Sequence, residues 1–90
     1  MMEIKKSNRK DKKYQVNVNG NVVHFGQKGY EDYTTHKDIK RKERFYQRFR
    51  LTNDINSPLF WSMNVLWNKP SIEESISNMN KKFNLDVRLV

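Results

Sequence analysis

Residues 14–26 read YQVNVNGNVVHFG, and this stretch carries the clearest structural signal in the chain. Asn19-Gly20 is the preferred pair for a two-residue type I′ turn, because both central positions need a positive φ. Apolar and polar residues alternate on both sides of the turn, as in strands with one buried face. The turn also sets the register, which places Tyr14 opposite Phe25. The stretch therefore predicts a β-hairpin whose buried face carries Tyr14, Val16, Val18, Val23 and Phe25.

A basic helix is predicted downstream of this hairpin, from about His36 to Arg50. Thr35 is the expected N-cap, because Asp38 follows three residues later in an arrangement like a capping box. At 100° per residue, one stripe of this helix is basic and the opposite side is aromatic. The stripe contains Lys37, Arg41, Arg44 and Arg48, with Lys40 beside it. Lys42 falls among the aromatic residues and would have to extend its ammonium group outward.

The second half of the chain predicts two more helices and a strand. Ser57-Pro58 is a typical helix start, and Ser71 with Glu74 forms a capping box before an apolar face of period 3.6. The last stretch, residues 85–90, alternates as a strand and is expected to join an edge of the hairpin. The predicted fold is α+β, with order β-β-α-α-α-β. It comprises a small three-stranded sheet, made of the hairpin and the C-terminal strand, covered by about three helices.

The beginning of the chain looks unlike the rest. Residues 1–13 hold six basic and two acidic residues and little that could be buried. We therefore expect a flexible basic arm over residues 1–13, followed by a single domain over residues 14–90.

Charge is distributed unevenly along the sequence. Residues 1–50 carry 14 Lys and Arg against 6 Asp and Glu, whereas residues 51–90 carry 4 against 4. The whole net charge of +8 therefore lies in the first half, which points to a polyanionic partner for that half. The expected contacts to nucleic acid are Lys5, Lys6, Arg9, Lys10, Lys12, Lys13, Lys37, Lys40, Arg41, Arg44 and Arg48.

Several classes of function find little support in the residues. The absence of cysteine excludes a disulfide scaffold, thiolate-bound zinc and a cysteine nucleophile. His36-Lys37-Asp38 does not match a phosphoryl-transfer signature, and the two histidines, His24 and His36, have no recognised metal-ligand spacing. We therefore expect no enzyme activity, no metal and no cofactor. No apolar run is long enough to span a membrane, and the charged start is unlike a signal peptide, so we expect neither a membrane partner nor secretion.

The two tryptophans are candidates for a protein interface. Trp61 and Trp67 are six residues apart and cannot share one face of a helix. One should enter the core and the other should be available for a protein contact, unless both are buried. The sequence does not decide which of the two enters the core, although the position of Trp67 beside the helix end and Pro70 favours it. Residues 59–67 are also too apolar for one face of a short helix, so part of this segment is expected to contact another chain, either a second copy or a capsid partner.

A resemblance covers more than half of the chain, from His24 to Ile76. The stretch HFGQKGYEDYTTHKD, from His24 to Asp38, and the stretch LWNKP, from Leu66 to Pro70, resemble a family of small, uncharacterised basic proteins of large DNA viruses and phages. That family shares the motifs F-G-x-x-x-Y-x-D-[YF]-T-x-H-K-D and L-W-N-K-P. The resemblance implies a viral origin and a role in the virion or with the genome.

Two functions remain open on this basis. The first is a non-enzymatic viral protein that binds polyanion, with DNA the favoured ligand and no reading of base sequence. The alternative is a structural virion component, minor capsid or internal, that acts through protein–protein contacts. Either would be found in the virion or inside the host cell, in its cytoplasm or nucleus.

Overall fold

In the part of the chain that the structure describes, the fold consists of one mixed sheet and four α-helices. The computed structural model describes residues 2–50 and 52–90. The strands are β1 (Met2–Lys6), β2 (Lys12–Val18), β3 (Asn21–Gln27) and β4 (Val87–Leu89), in the order β3-β2-β1-β4. The helices are α1 (Tyr33–His36), α2 (Ile39–Arg48), α3 (Pro58–Trp61) and α4 (Ile72–Phe83), and a π-helical turn, Ser62–Leu66, follows α3. The predicted α+β class is confirmed, but the sheet has four strands instead of three.

The predicted hairpin is confirmed in its turn and in its register. Asn19 and Gly20 both have positive φ angles, of 52° and 89°, and the Asn17 side chain accepts a hydrogen bond from the Gly20 N–H at 2.7 Å. Tyr14 pairs with Phe25 and Val16 with Val23, as the alternation requires. The hairpin buries Val16, Val18, Val23 and Phe25, while Tyr14 is half-buried.

The flexible arm predicted over residues 1–13 is wrong for most of its length. Met1 lies outside the described residues, but β1 lies inside the sheet, antiparallel to β2 and parallel to β4. Ile4 is fully buried, with Val16 opposite on one side and Leu89 on the other. A charged strand is stable here because both of its edges are hydrogen-bonded and its single inward isoleucine enters the core. Consequently β4 adds to β1, and not to the hairpin as expected.

The single helix predicted from about His36 to Arg50 is divided into α1 and α2. Asp32 caps α1 by accepting a hydrogen bond from the Thr34 N–H, and Lys37 ends α1 in the left-handed conformation, at a φ of 58°. Asp38 then caps α2, with its carboxylate accepting from the N–H groups of Lys40 and Arg41. Thr35 is not the N-cap, because an aspartate at each of these positions satisfies the free N–H groups of a helix start.

The helix starts predicted at Ser57-Pro58 and at Ser71 are confirmed. Ser57 accepts from the Leu59 N–H before Pro58, and Ser71 accepts from the Glu74 N–H. Asn84 ends α4 with a φ of 54°, as a left-handed C-cap.

The core lies between one face of the sheet and the segment that runs from α3 to α4. Its largest fully buried side chains are Trp61, Phe25 and Phe60. The π-helical turn closes with a hydrogen bond from the Trp67 N–H to the Ser62 carbonyl at 3.1 Å. β3 and α4 both pack on this turn, and the Tyr46 hydroxyl of α2 donates to the Met63 carbonyl at 2.9 Å. The apolar surplus of residues 59–67, which suggested contact with another chain, is thus largely covered within this one.

Membrane insertion through a helix finds no support in the described part of the chain. Over residues 2–50 and 52–90, no helix combines the length and the apolar character needed to cross a bilayer.

Candidate functional site

A basic groove of about 580 Å³ runs between α2 and the open end of the hairpin. One wall comes from α2 and its C-terminal end, and the other from β2, the end of β3 and the loop that follows it. The start of α3 and the π-helical turn contribute the remaining surface. The groove cations are Lys12, Lys13, Arg41, Arg44 and Arg48, and the groove acids are Glu31 and Asp32.

Helix geometry brings the three groove arginines to one wall. Arg41, Arg44 and Arg48 are spaced three and four residues apart, so all three lie within about 60° of one another around the helix. The predicted stripe is thus present from Arg41 onward. Lys37, however, lies between α1 and α2, outside the helix, and neither it nor Lys40 lines the groove.

Two of the groove cations are already paired. The Lys13 ammonium lies 2.7 Å from the Asp32 carboxylate and also donates to the Tyr30 carbonyl at 2.6 Å. Arg41 lies 3.6 Å from Glu31. Asp32 is only 4% exposed, so its pairing with Lys13 offsets the cost of burying a carboxylate. These two pairs hold the loop after β3 against β2 and α2.

The remaining groove cations are available to a ligand. Lys12, Arg44 and Arg48 form no salt bridge with any residue in 2–50 or 52–90. Lys12 is half-buried on β2, while Arg44 and Arg48 are exposed on α2. The site therefore presents three uncompensated charges from two elements that are far apart in sequence.

Three aromatic rings lie next to one another along the α2 side of the groove. Trp67 and Phe45 are stacked, parallel within 4° and with ring centroids 4.4 Å apart, and the Phe49 ring lies 4.8 Å from Phe45 at an angle of 44°. We call these three rings the groove stack. Its outermost member, Phe49, is 38% exposed and has the Arg48 guanidinium 5.4 Å from its ring centroid. The groove thus combines unpaired charge with an accessible aromatic face.

Gly26 allows β3 to approach the π-helical turn at the base of the groove. A Cβ atom at this position would lie 2.8 Å from Leu66 Cδ1 and 3.2 Å from Lys13 Cβ. Its φ of +76° also falls in the region that L side chains rarely adopt. A glycine is therefore required where β3 passes beside the π-helical turn at the base of the groove.

Lys42 and Tyr46 anchor the opposite side of α2. The Lys42 ammonium donates to the Asn68 carbonyl at 2.6 Å and lies 5.0 Å from the centroid of the Tyr33 ring. Burial, and to a smaller extent the nearby charge of Lys69, lowers the pKa of Lys42, while burial raises the pKa of Tyr46. Because these contacts hold α2 to the π-helical turn and the segment after it, the arginine wall has a fixed orientation.

The other predicted nucleic-acid contacts are spread over different surfaces. Lys5 and Lys6 are exposed on β1, and Arg9 and Lys10 lie in the connection between β1 and β2, where Arg9 is 3.5 Å from Asp11. None of these four lines the groove. Of the eleven residues predicted, the structure brings together the five groove cations.

The predicted roles of the tryptophans are reversed. Trp61 is 0% exposed, and its indole N–H donates to the Ile55 carbonyl at 2.7 Å, so it cannot present an interface on the folded chain. Trp67, the favoured core residue, is half-buried and lines the groove within the groove stack. The two indoles thus lie on different sides of the segment, as helix geometry predicts, and only the assignment of the core residue is wrong.

Sequence reasoning missed Tyr30 and Phe49. Both line the groove, and Tyr30 is 66% exposed. The sequence offered one indication, because each of these aromatic residues lies within a few positions of a groove cation or acid. It could not show that Tyr30 and Phe49 line the same groove, because that depends on how the loop after β3 packs beside α2.

Fold and site together define a small α+β protein with a basic, aromatic-lined groove. The chain belongs to DUF5754, a family of unknown function, whose model matches residues 2–49, just over half of the chain. No curated protein and no solved structure matches it. The matched residues include all five groove cations, Tyr30 and Phe49, whereas the part of the groove formed by α3 and the π-helical turn lies beyond the match.

Proposed function

We propose that this protein binds nucleic acid, with DNA the favoured ligand, through the phosphate backbone and without reading base sequence. One observation carries the proposal: Lys12 of β2 and Arg44 and Arg48 of α2 line the same groove without acidic partners among the described residues. Guanidinium and ammonium groups in such an arrangement suit phosphate oxygens, and phosphate contacts position a protein without specifying sequence.

Binding without catalysis suits the chemistry of the groove better than an enzyme does. Its carboxylates, Glu31 and Asp32, are engaged by Arg41 and Lys13. His24 and His36 lie outside the groove, and their Nδ1 atoms lie 2.8 Å from the Ser7 hydroxyl and 2.9 Å from the Asp38 N–H respectively. No free carboxylate or imidazole, the commonest general bases, therefore lines the groove within the described part of the chain.

A viral setting belongs to the same proposal. It rests on the resemblance of the His24–Asp38 and Leu66–Pro70 stretches to basic proteins of large DNA viruses and phages. A genome-associated role, in the virion or inside the host cell, would suit a groove for phosphate. The alternative of a structural virion component has less support, because Trp61 is buried and Trp67 is engaged in the groove stack.

A salt titration of the full chain tests the proposal. With about three phosphates contacted, the slope of log K against log salt should be near −2 for single-stranded DNA and near −3 for duplex DNA. The double variant Arg44→Gln/Arg48→Gln should bring the slope to within about 1 of zero. The matched control is Lys81→Gln/Lys82→Gln on α4, which removes the same charge from a surface away from the groove.

Two results would contradict the proposal. One is an absence of binding to either DNA at low salt. The other is an equal loss of affinity in the α2 variant and the α4 control, which would mean that net charge alone attracts DNA and that the groove has no special part.

A further inference from the structure

Tyr30 is held by its backbone while its ring is left in solvent. The Tyr30 N–H donates to the Gln27 carbonyl at 3.3 Å, and the Tyr30 carbonyl accepts from the Lys13 ammonium at 2.6 Å. Its ring, however, makes no hydrogen bond to another described residue and is part of a side chain that is 66% exposed. A fixed backbone beneath an exposed ring favours contact with a partner, because covering an aromatic face that is exposed to water lowers the free energy.

Phe49 is exposed in a similar way on the other side of the groove. Its inner neighbour, Phe45, is buried and stacks on Trp67, so the groove stack supports Phe49 from behind. Arg48 lies beside the ring, and Arg44 lies one helical turn earlier on the same wall. The accessible rings and the unpaired charges therefore line the same groove, with Arg48 directly beside Phe49.

Single-stranded nucleic acid matches this arrangement, and duplex does not. Unpaired bases can stack on protein aromatics while their phosphates meet basic side chains, whereas the bases of a duplex are already stacked on each other. From Arg41 to Arg48 the helix rises about 10 Å, which corresponds to about three stacked nucleotides. The groove is therefore long enough for a short single-stranded segment.

We propose that the groove binds single-stranded nucleic acid, with bases stacking on Tyr30 and Phe49 and phosphates contacting Lys12, Arg44 and Arg48. This inference rests on the proposed function and deepens it, because it names the form of nucleic acid and the residues that recognise it. The recognition does not depend on base identity, since every base has an aromatic face.

The test compares three probes of equal length at one salt concentration: a dT 12-mer, a 12-nucleotide abasic strand and a mixed-sequence 12-base-pair duplex. The dT strand should bind more tightly than the abasic strand, because only the dT strand adds stacking to phosphate contacts. Tyr30→Ala and Phe49→Ala should each weaken dT binding by about 5- to 150-fold and leave abasic and duplex binding unchanged.

Control variants separate stacking from stability. Ile39→Ala removes an exposed apolar side chain from α2 outside the groove and should leave all three affinities unchanged. Phe49→Leu retains apolar bulk without an aromatic face, so it decides the question if Phe49→Ala does not fold. Tyr30→Ala alters an exposed ring in a loop and should fold normally.

The outcomes distinguish this inference from the proposed function. If the dT and abasic strands bind equally and the aromatic variants match wild type, while Arg44→Gln/Arg48→Gln still weakens binding, the single-strand inference is wrong and the groove is a simple phosphate site. If none of these variants changes binding, both proposals fail.

Discussion

The segment from Phe60 to Trp67 contributes to two aromatic clusters, which differ in their exposure to solvent. Under the sheet, Trp61 lies 6.1 Å from Phe25 and 5.5 Å from Phe60, measured between ring centroids. We call these three rings the core cluster, and all of them are at most 2% exposed. The groove stack begins at half-buried Trp67 and ends at Phe49, which faces the solvent.

Similar aromatic residues therefore contribute to stability in the core cluster and remain partly uncovered in the groove stack. In the core cluster every ring face is covered by the protein, so the full free energy of burial goes into folding. In the groove stack part of the Phe49 ring remains exposed, so the free energy of burying it would be released only when a ligand covers the ring. The cations lie at the open cluster, where a charged side chain can remain hydrated.

The largest predicted effect separates the two tryptophans. Trp61→Ala should lower the free energy of unfolding by about 3–5 kcal/mol, because it leaves a cavity in the core cluster. That loss is a large part of the stability of a small domain. Trp67→Ala should cost about 1–2 kcal/mol less, because the indole is only half-buried. Urea denaturation measures both, and equal losses would contradict the distinction between a closed and an open cluster.

Ile4 provides the next test, because it links β1 to the core cluster. Ile4→Ala should destabilise the protein by about 2–4 kcal/mol, as expected for a fully buried isoleucine. Its matched control is Lys5→Ala, on the exposed face of the same strand, which should change stability by less than about 0.5 kcal/mol. Unchanged thermal stability in Ile4→Ala would mean that residues 2–6 behave as a flexible arm after all.

Fluorescence quenching gives a smaller and more local signal. Iodide is an anion and should be concentrated by the groove cations, so it should quench Trp67 but not Trp61. In Trp67→Phe the remaining emission, from Trp61, should resist iodide. Arg44→Gln/Arg48→Gln should reduce quenching by iodide but not by neutral acrylamide, because the loss of charge affects only the local concentration of the anion. Strong iodide quenching in Trp67→Phe would show that the core cluster is open to solvent.

Tyr46 supplies the smallest expected effect, at alkaline pH. Burial raises the pKa of Tyr46 above its ordinary value of 10.0, so the folded protein binds the phenolic proton more tightly than the unfolded chain. The stability that this proton contributes is fully present below pH 10 and is lost as pH rises through the folded pKa. Burial also raises the pKa of Tyr14, so an ultraviolet titration should show a tyrosine component above pH 10 that is smaller in Tyr46→Phe and does not vanish. An identical titration in the variant would contradict the assignment.

Local signals in the sequence were sufficient for the hairpin and for most helix ends. Asn19-Gly20, Ser57, Ser71 and Asn84 act through hydrogen bonds or backbone angles within a few residues, so each can be identified without knowledge of the fold. Arg41, Arg44 and Arg48 could likewise be placed on one side of a helix by their spacing alone. Predictions failed where two local interpretations competed, as at Asp38, which fits either the third position of a helix or its N-cap.

Tertiary structure decided what no local pattern contains. The sequence of residues 2–6 is that of a charged arm. In the fold, however, β2 and β4 form hydrogen bonds with the backbone of these residues, and the single isoleucine among them enters the core. Trp61 is the core tryptophan because Phe25 of the sheet and Phe60 pack against it, whereas Trp67 lies against Phe45 of α2 beside the groove.

The α+β class, the hairpin register and the excess of positive charge in the first half all follow from the amino-acid sequence. The meeting of Lys12 and Lys13 with the arginines of α2, and the exposure of Tyr30 and Phe49 beside them, depend on how the chain packs. The two sets of features differ in the sequence separation of the residues that determine them. Turn angles, caps and helical spacing act between residues a few positions apart, whereas a groove depends on the packing of segments that only the folded core brings together.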